Sequence, residues 1–154
     1  MRGKKSPKRK IQEDYKFGSP LVAKFINQLM KGGKKSVAQK VLYSAMEQIS
    51  AKTKQDPLDV LDKALKNISP QLEVKSRRIG GAHYQIPIEV RGERRTTLAM
   101  RWLIGAAKSR QGKPMGEKLA LELIDASNKL GEAHKKMEDV QRMAEANRAF
   151  AHFA

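Results

Sequence analysis

Arg94, Arg101 and Lys108 recur every seven residues. At about 100° per residue they fall on one helix face, and Ala99, Trp102, Leu103 and Ala106 cluster on another. The stretch 94–116 adds Arg95, Arg110 and Lys113 and contains no Asp or Glu. A merely solvated helix mixes signs, because Glu–Lys pairs one turn apart support it. A stripe of one sign gives up that support and suits a helix laid along a phosphate backbone. Guanidinium groups grip phosphate as a planar fork, whereas lysines act as point charges. Trp102, on the apolar face, reads as core.

Three further basic clusters fit the same chemistry. Lys31, Lys34 and Lys35 flank Gly32-Gly33, just ahead of a helix start. Lysines beside free helix N–H groups make a phosphate site. Lys75, Arg77 and Arg78 precede Gly80-Gly81, and His83 and Tyr84 follow it. A basic arm carrying a ring can enter a groove or stack on an unpaired base. Arg2, Lys4, Lys5, Lys8, Arg9 and Lys10 stand together with no acid among them. Such a segment is expected to be disordered alone and to order on nucleic acid. Arg142, near the end of the chain, completes the set of expected nucleic-acid contacts.

Catalytic patterns do not assemble. His83, His134 and His152 are scattered, with no paired-ligand spacing. Gly33-Lys34 resembles a phosphate loop only in part: Gln28 stands where a glycine is needed, and Lys35 follows the lysine. No serine sits in a nucleophile elbow. With no cysteine, there is neither a disulfide framework nor a thiolate site. We therefore expect no enzyme, no cofactor and no metal centre.

Composition agrees with these clusters. Lys plus Arg number 32 against 16 Asp plus Glu, a net charge of +16 on 154 residues. Such an imbalance works against a compact state and implies a polyanionic partner, most commonly nucleic acid. An anionic membrane surface and an acidic protein are the alternatives. Residues 117–154 hold seven acids against six bases, so the surplus lies in residues 1–116. The C-terminal part reads as scaffold or a protein-facing surface. No apolar run approaches the roughly 20 residues of a membrane span. No apolar segment follows Lys10 in the manner of a signal peptide. A soluble intracellular protein is expected.

The elements that must hold these residues are mostly helical. Ser19-Pro20 reads as the cap and first residue of a helix carrying Leu21, Val22, Phe25, Ile26, Leu29 and Met30, stopped by Gly32-Gly33. A second helix starts near Ser36, with Val37, Ala38, Val41, Leu42, Ala45, Met46 and Ile49 on one face. Asp56-Pro57 opens a third, with Leu58, Leu61, Leu65 and Ile68, ended by Ser69-Pro70. Two period-two runs around Gly80-Gly81 make a β-hairpin, and Pro87 implies a free edge or a bulge. A fourth helix spans about Gly92 to Arg110, and a fifth runs from near Pro114 to Asn128–Gly131. The sixth runs from Glu132 to Phe150, with a stripe of Ala133, Met137, Val140 and Ala144 and a Glu138–Arg142 pair. The prediction is a mainly α fold. It has a basic arm over 1–16 and a single six-helix domain over 17–154, with a protruding two-stranded hairpin at about 72–90.

Longer strings carry a family resemblance. Phe17-Gly18 through Met30 with Gly32-Gly33-Lys34-Lys35-Ser36, Val74 through Gly81, and Tyr84 through Val90 resemble the first helix and hairpin of small-subunit ribosomal protein seven, bacterial or organellar type. Leu98-Ala99-Met100-Arg101-Trp102-Leu103 and Arg142 through His152 resemble its fourth helix and C-terminus. Met137 stands where that family usually has arginine, so no RNA contact is carried onto it.

The resemblance implies a primary binder of small-subunit ribosomal RNA that nucleates folding of the 3′ major, or head, domain. It implies a place near the exit site, with messenger and transfer RNA close by and ribosomal proteins nine and eleven as neighbours. It implies a cytoplasmic ribosome, with an organelle matrix also open. The rival reading from composition is a DNA architectural protein, which would prefer duplex DNA to a structured RNA junction.

Overall fold

A computed structural model describes residue 3 and residues 10–153. The expected arm cations Arg2, Lys4, Lys5, Lys8 and Arg9 lie outside the described residues. The chain divides into two compact units, the first ending at Gln39 and the second starting at Lys40.

In the first unit, buried Asp14 organises the entry to a helix. Its carboxylate accepts hydrogen bonds from the backbone N–H of Lys16 (3.1 Å) and Phe17 (3.3 Å). Its own carbonyl accepts from Gly18 N at 2.8 Å. Helix α1 then runs Pro20–Leu29 and buries Val22, Ala23, Phe25 and Ile26. Ser19 holds the cap position as expected, but its side chain makes no capping bond. Pro20 alone sets the start, through its fixed φ.

Helix α2 spans Lys35–Thr53 and buries Ala38, Leu42, Ala45, Met46 and Ile49. Val37, expected on that face, is exposed in the first turn. Helix α3, Pro57–Ile68, is capped by Asp56, whose carboxylate accepts from Leu58 N at 2.9 Å. Helix α5, Met115–Ser127, packs against α3, and Leu61, Ile68, Leu119 and Leu123 on these helices are fully buried. Burying each such side chain is worth about 1.5–3 kcal/mol. Asn67 of α3 donates to the carbonyls of Ala126 (3.0 Å) and Ser127 (2.9 Å), closing the end of α5.

Strands β1, Leu72–Ile79, and β2, Ala82–Glu89, pair antiparallel around Gly80-Gly81. Both glycines have positive φ, 56° and 92°, as a two-residue hairpin turn requires. Register runs without a bulge from Leu72↔Glu89 to Ile79↔Ala82, and Pro87 sits opposite Val74. The sheet has two strands among the described residues, so the free-edge alternative for Pro87 holds. An isolated hairpin is marginal in water. This one rests on helix α6, Glu132–Ala146, and on a 3-10 helix over Arg148–Phe153.

Helix α4 spans Gly92–Ser109 and packs on α5 and α6. Its buried residues are Leu98, Ala99, Met100, Leu103, Ile104 and Ala107. The buried face is thus rotated from the expected one. Trp102 and Ala106 are only half-buried, at its border. The sixth helix stops at Ala146 rather than at Phe150. Asn147 turns its side chain onto the Met143 carbonyl (2.8 Å) and competes with continuation of the helix. Met137 and Val140 are half-buried, while Ala133 and Ala144 are fully enclosed. The expected Glu138–Arg142 pair does not form: Arg142 reaches Asp139, and Glu138 faces His134, each at 3.5 Å.

Candidate nucleic-acid interface

The first unit presents Lys10, Lys31, Lys34 and Lys35, all exposed. Its Gly32-Gly33 loop folds back on itself, with Lys34 N donating to Lys31 O (3.3 Å) and Lys35 N to Gly33 O (2.8 Å). Lys35 opens α2, whose first turn holds no acid. This is the lysine-rich helix start that the sequence predicts.

In the second unit, β1 carries exposed Lys75, Arg77 and Arg78. Directly opposed residues of an antiparallel pair share a face, so Arg77 lies beside Tyr84, and Arg78 beside His83. Tyr84 is not a free ring at the arm's tip. It is half-buried against Phe150, with ring centroids 5.2 Å apart and planes tilted by 57°. The terminal 3-10 helix therefore covers part of the ring.

The α4 stripe divides into distinct environments. Arg94 does not stand free. Its Nη2 donates to Glu73 Oε1 at 2.6 Å and its Nε to Oε2 at 3.2 Å, a fork from α4 onto β1. That hydrogen bond holds the Glu73 carboxyl below the usual range against the opposing effect of burial; the charges of Arg94, Lys75 and Arg101 act in the same direction. The same bond raises the Arg94 pKa. Arg94 is 47% exposed and Glu73 22%. One acid thus sits among several cations where the hairpin base meets α4. Arg101, Lys108 and Lys113 are exposed, and Arg142 is an exposed partner of Asp139. Arg95 is half-buried; among the described residues its Nε is the one buried side-chain polar atom with no hydrogen-bond partner.

Arg110 turns inward. Its Nε donates to Glu122 Oε2 at 2.7 Å, and its Nη2 also pairs with Asp125. The Arg110 side chain is 28% exposed, and that of Glu122 is 0%. Burial works against the charge on Arg110, but its hydrogen bonds to Asp125 and Glu122 prevail and raise its pKa. The other oxygen of Glu122 accepts from Ala133 N at 2.9 Å, in the first turn of α6. One buried carboxylate therefore ties the end of α4, the middle of α5 and the start of α6. Gly131, at φ 89°, makes the approach possible: a Cβ there would lie 2.9 Å from Glu122 Oε1. Arg110 is thereby a structural tie.

Lys136 is a basic residue that the sequence patterns do not single out. It lies on α6, in the part of the sequence that reads as scaffold, but the fold brings it across a groove from Arg101. A helix-face projection of α6 places Lys136 about one turn from Glu132, yet cannot show which helix it meets. Among the described residues no cluster of His, Cys, Asp and Glu could hold a metal, and no helix is long and apolar enough to cross a membrane.

Fold and surface define a mainly helical, strongly basic protein with a short β-arm. The family described as Ribosomal protein S7p/S5e matches residues 1–148, and the chain belongs to that family. Among its relatives are proteins named Small ribosomal subunit protein uS7. That of Thermotoga maritima is 56% identical over 153 residues, 99% of each chain. That of Alkalilimnicola ehrlichii is 55% identical over 152 residues, covering 99% of this chain and 97% of its own. The protein of an Anaeromyxobacter species is 58% identical over 146 residues, covering 95% and 94%.

Proposed function

We propose that this chain binds small-subunit ribosomal RNA and nucleates folding of the 3′ major domain, the head of the subunit. Its family makes it a structural constituent of the small ribosomal subunit, a ribosomal protein rather than an enzyme. The observation that supports this reading is the exposed run of Lys75, Arg77, Arg78, Arg101, Lys108 and Lys113 on elements tied to one another. Cations held at fixed mutual distances neutralise phosphates of separate RNA helices and favour the folded junction over the splayed one. Paired A-form RNA hides its base edges in a deep major groove, so backbone shape and unpaired bases carry recognition. Lysines of the first unit add charge that draws the RNA in. We place the hairpin near the exit site, beside messenger and transfer RNA, with ribosomal proteins nine and eleven as neighbours.

Protection footprinting of small-subunit ribosomal RNA by the purified chain tests this reading. Protection should concentrate in the 3′ major domain. With roughly eight phosphates neutralised, affinity should fall about a thousandfold or more between 50 and 200 mM salt. Protection elsewhere, a flat salt response or a preference for duplex DNA would each refute it.

A further inference from the structure

We infer that the groove between α4 and α6 holds one unpaired RNA base against Trp102, with its flanking phosphates on Arg101 and Lys136. This deepens the RNA-binding reading above and rests on it. The groove encloses about 300 Å³. That is the low end of the range for small-ligand sites and fits a single nucleobase. The half-buried indole shares its lining with Gly105 and Ala106, residues too small to cover it. Ser109 is occupied locally, its hydroxyl donating to Ala106 O at 2.7 Å.

The polar lining selects the occupant. Arg101 and Lys136 are exposed cations on opposite helices that line the same groove, where each can meet a phosphate flanking the base. Glu132, the first residue of α6, is the acid among the lining residues. Its carboxylate repels phosphate and accepts from the exocyclic amine of adenine, cytosine or guanine. An apolar peptide would leave these three charges without partners. A membrane surface would find no apolar face large enough to enter it.

The full chain contains one tryptophan, so its fluorescence reports on this groove alone. Two probes serve: a short oligoadenylate, and a blunt RNA duplex with the same number of phosphates. Binding of each is followed independently by anisotropy of a label on the RNA. The expected result is that both bind at low salt and only oligoadenylate quenches the tryptophan. Binding of both without quenching overturns the groove assignment and leaves the RNA-binding reading standing. Failure of oligoadenylate alone to bind overturns the groove assignment, and failure of both RNAs overturns the RNA-binding reading with it. Quenching by peptides of neighbouring ribosomal proteins, with none from RNA, makes the groove a protein socket and overturns the assignment. Trp102→Leu, which keeps apolar volume, should bind oligoadenylate about tenfold more weakly and duplex unchanged, and Trp102→Phe should recover most of the loss. Parental affinity of Trp102→Leu for oligoadenylate, or an equal loss for both RNAs, would overturn the assignment.

Discussion

Both ends of α4 carry an arginine gripped by carboxylate, and the two grips differ in kind. At the N-terminal end, Arg94 forks onto Glu73 with nearly half its side chain in water. At the C-terminal end, Arg110 meets Glu122, which has no exposure at all. Exposed pairs are worth roughly 0–1 kcal/mol, because solvent screens them and holding two long side chains costs entropy. Breaking a buried pair leaves a charge without water or partner, a far larger penalty. Arg94 can therefore exchange Glu73 for an RNA phosphate at little loss. Arg110 cannot leave Glu122 without loosening three helices. Membership of one acid-free basic run does not give two residues one role; the burial of the partner separates them.

The contrast can be broken in several ways. Arg110→Ala should lower stability by about 3 kcal/mol in urea unfolding, with RNA affinity of the folded fraction close to parental. A fully stable variant that fails to bind RNA would move Arg110 back to the surface. Gly131→Ala should cost about 2 kcal/mol, since the backbone there suits glycine and the new methyl meets Glu122. Little or no loss would mean that the carboxylate has room to shift and is not the tie described.

Glu73→Gln should change stability by less than about 1 kcal/mol and tighten RNA binding about twofold at low salt, by releasing Arg94. The pH dependence of the pair sharpens this. The Glu73 carboxyl is held below its ordinary value of 4.5, chiefly by its hydrogen bond to Arg94. The stability it contributes is complete above that value and is lost as pH falls through the lower folded-state pKa. Comparing acid unfolding of parent and Glu73→Gln should show this small component in the parent alone. Weaker RNA binding by Glu73→Gln would mean that Glu73 positions Arg94 instead of competing for it.

Local pattern makes most of the elements legible. Pro20, Asp56-Pro57 and Gly80-Gly81 punctuate the chain where helices and the hairpin turn begin, because these residues act through their own backbone. The exposure of Arg101, Lys108, Lys75, Arg77 and Arg78 follows from the same patterns. What sequence misses lies across the fold. The acid-free run 94–116 borrows its carboxylates from Glu73, Glu122 and Asp125, which are 21, 12 and 15 residues away from the arginines they hold. The half-buried state of Trp102 depends on where α6 lies, which helical spacing within α4 cannot encode. Asn147 ends α6 through a side-chain bond that helical periodicity does not register.

The contact between Tyr84 and Phe150 has a bearing on the order of events at birth. A nascent chain emerges from its N-terminus, so both strands of the arm are made long before the ring that steadies it. Until residues 132–150 have been added, the arm can close its turn and form its Arg94–Glu73 fork but lacks the support of α6 and of the Phe150 ring. Its final direction is set late in synthesis, after the lysine-rich start of α2 is already free to meet RNA.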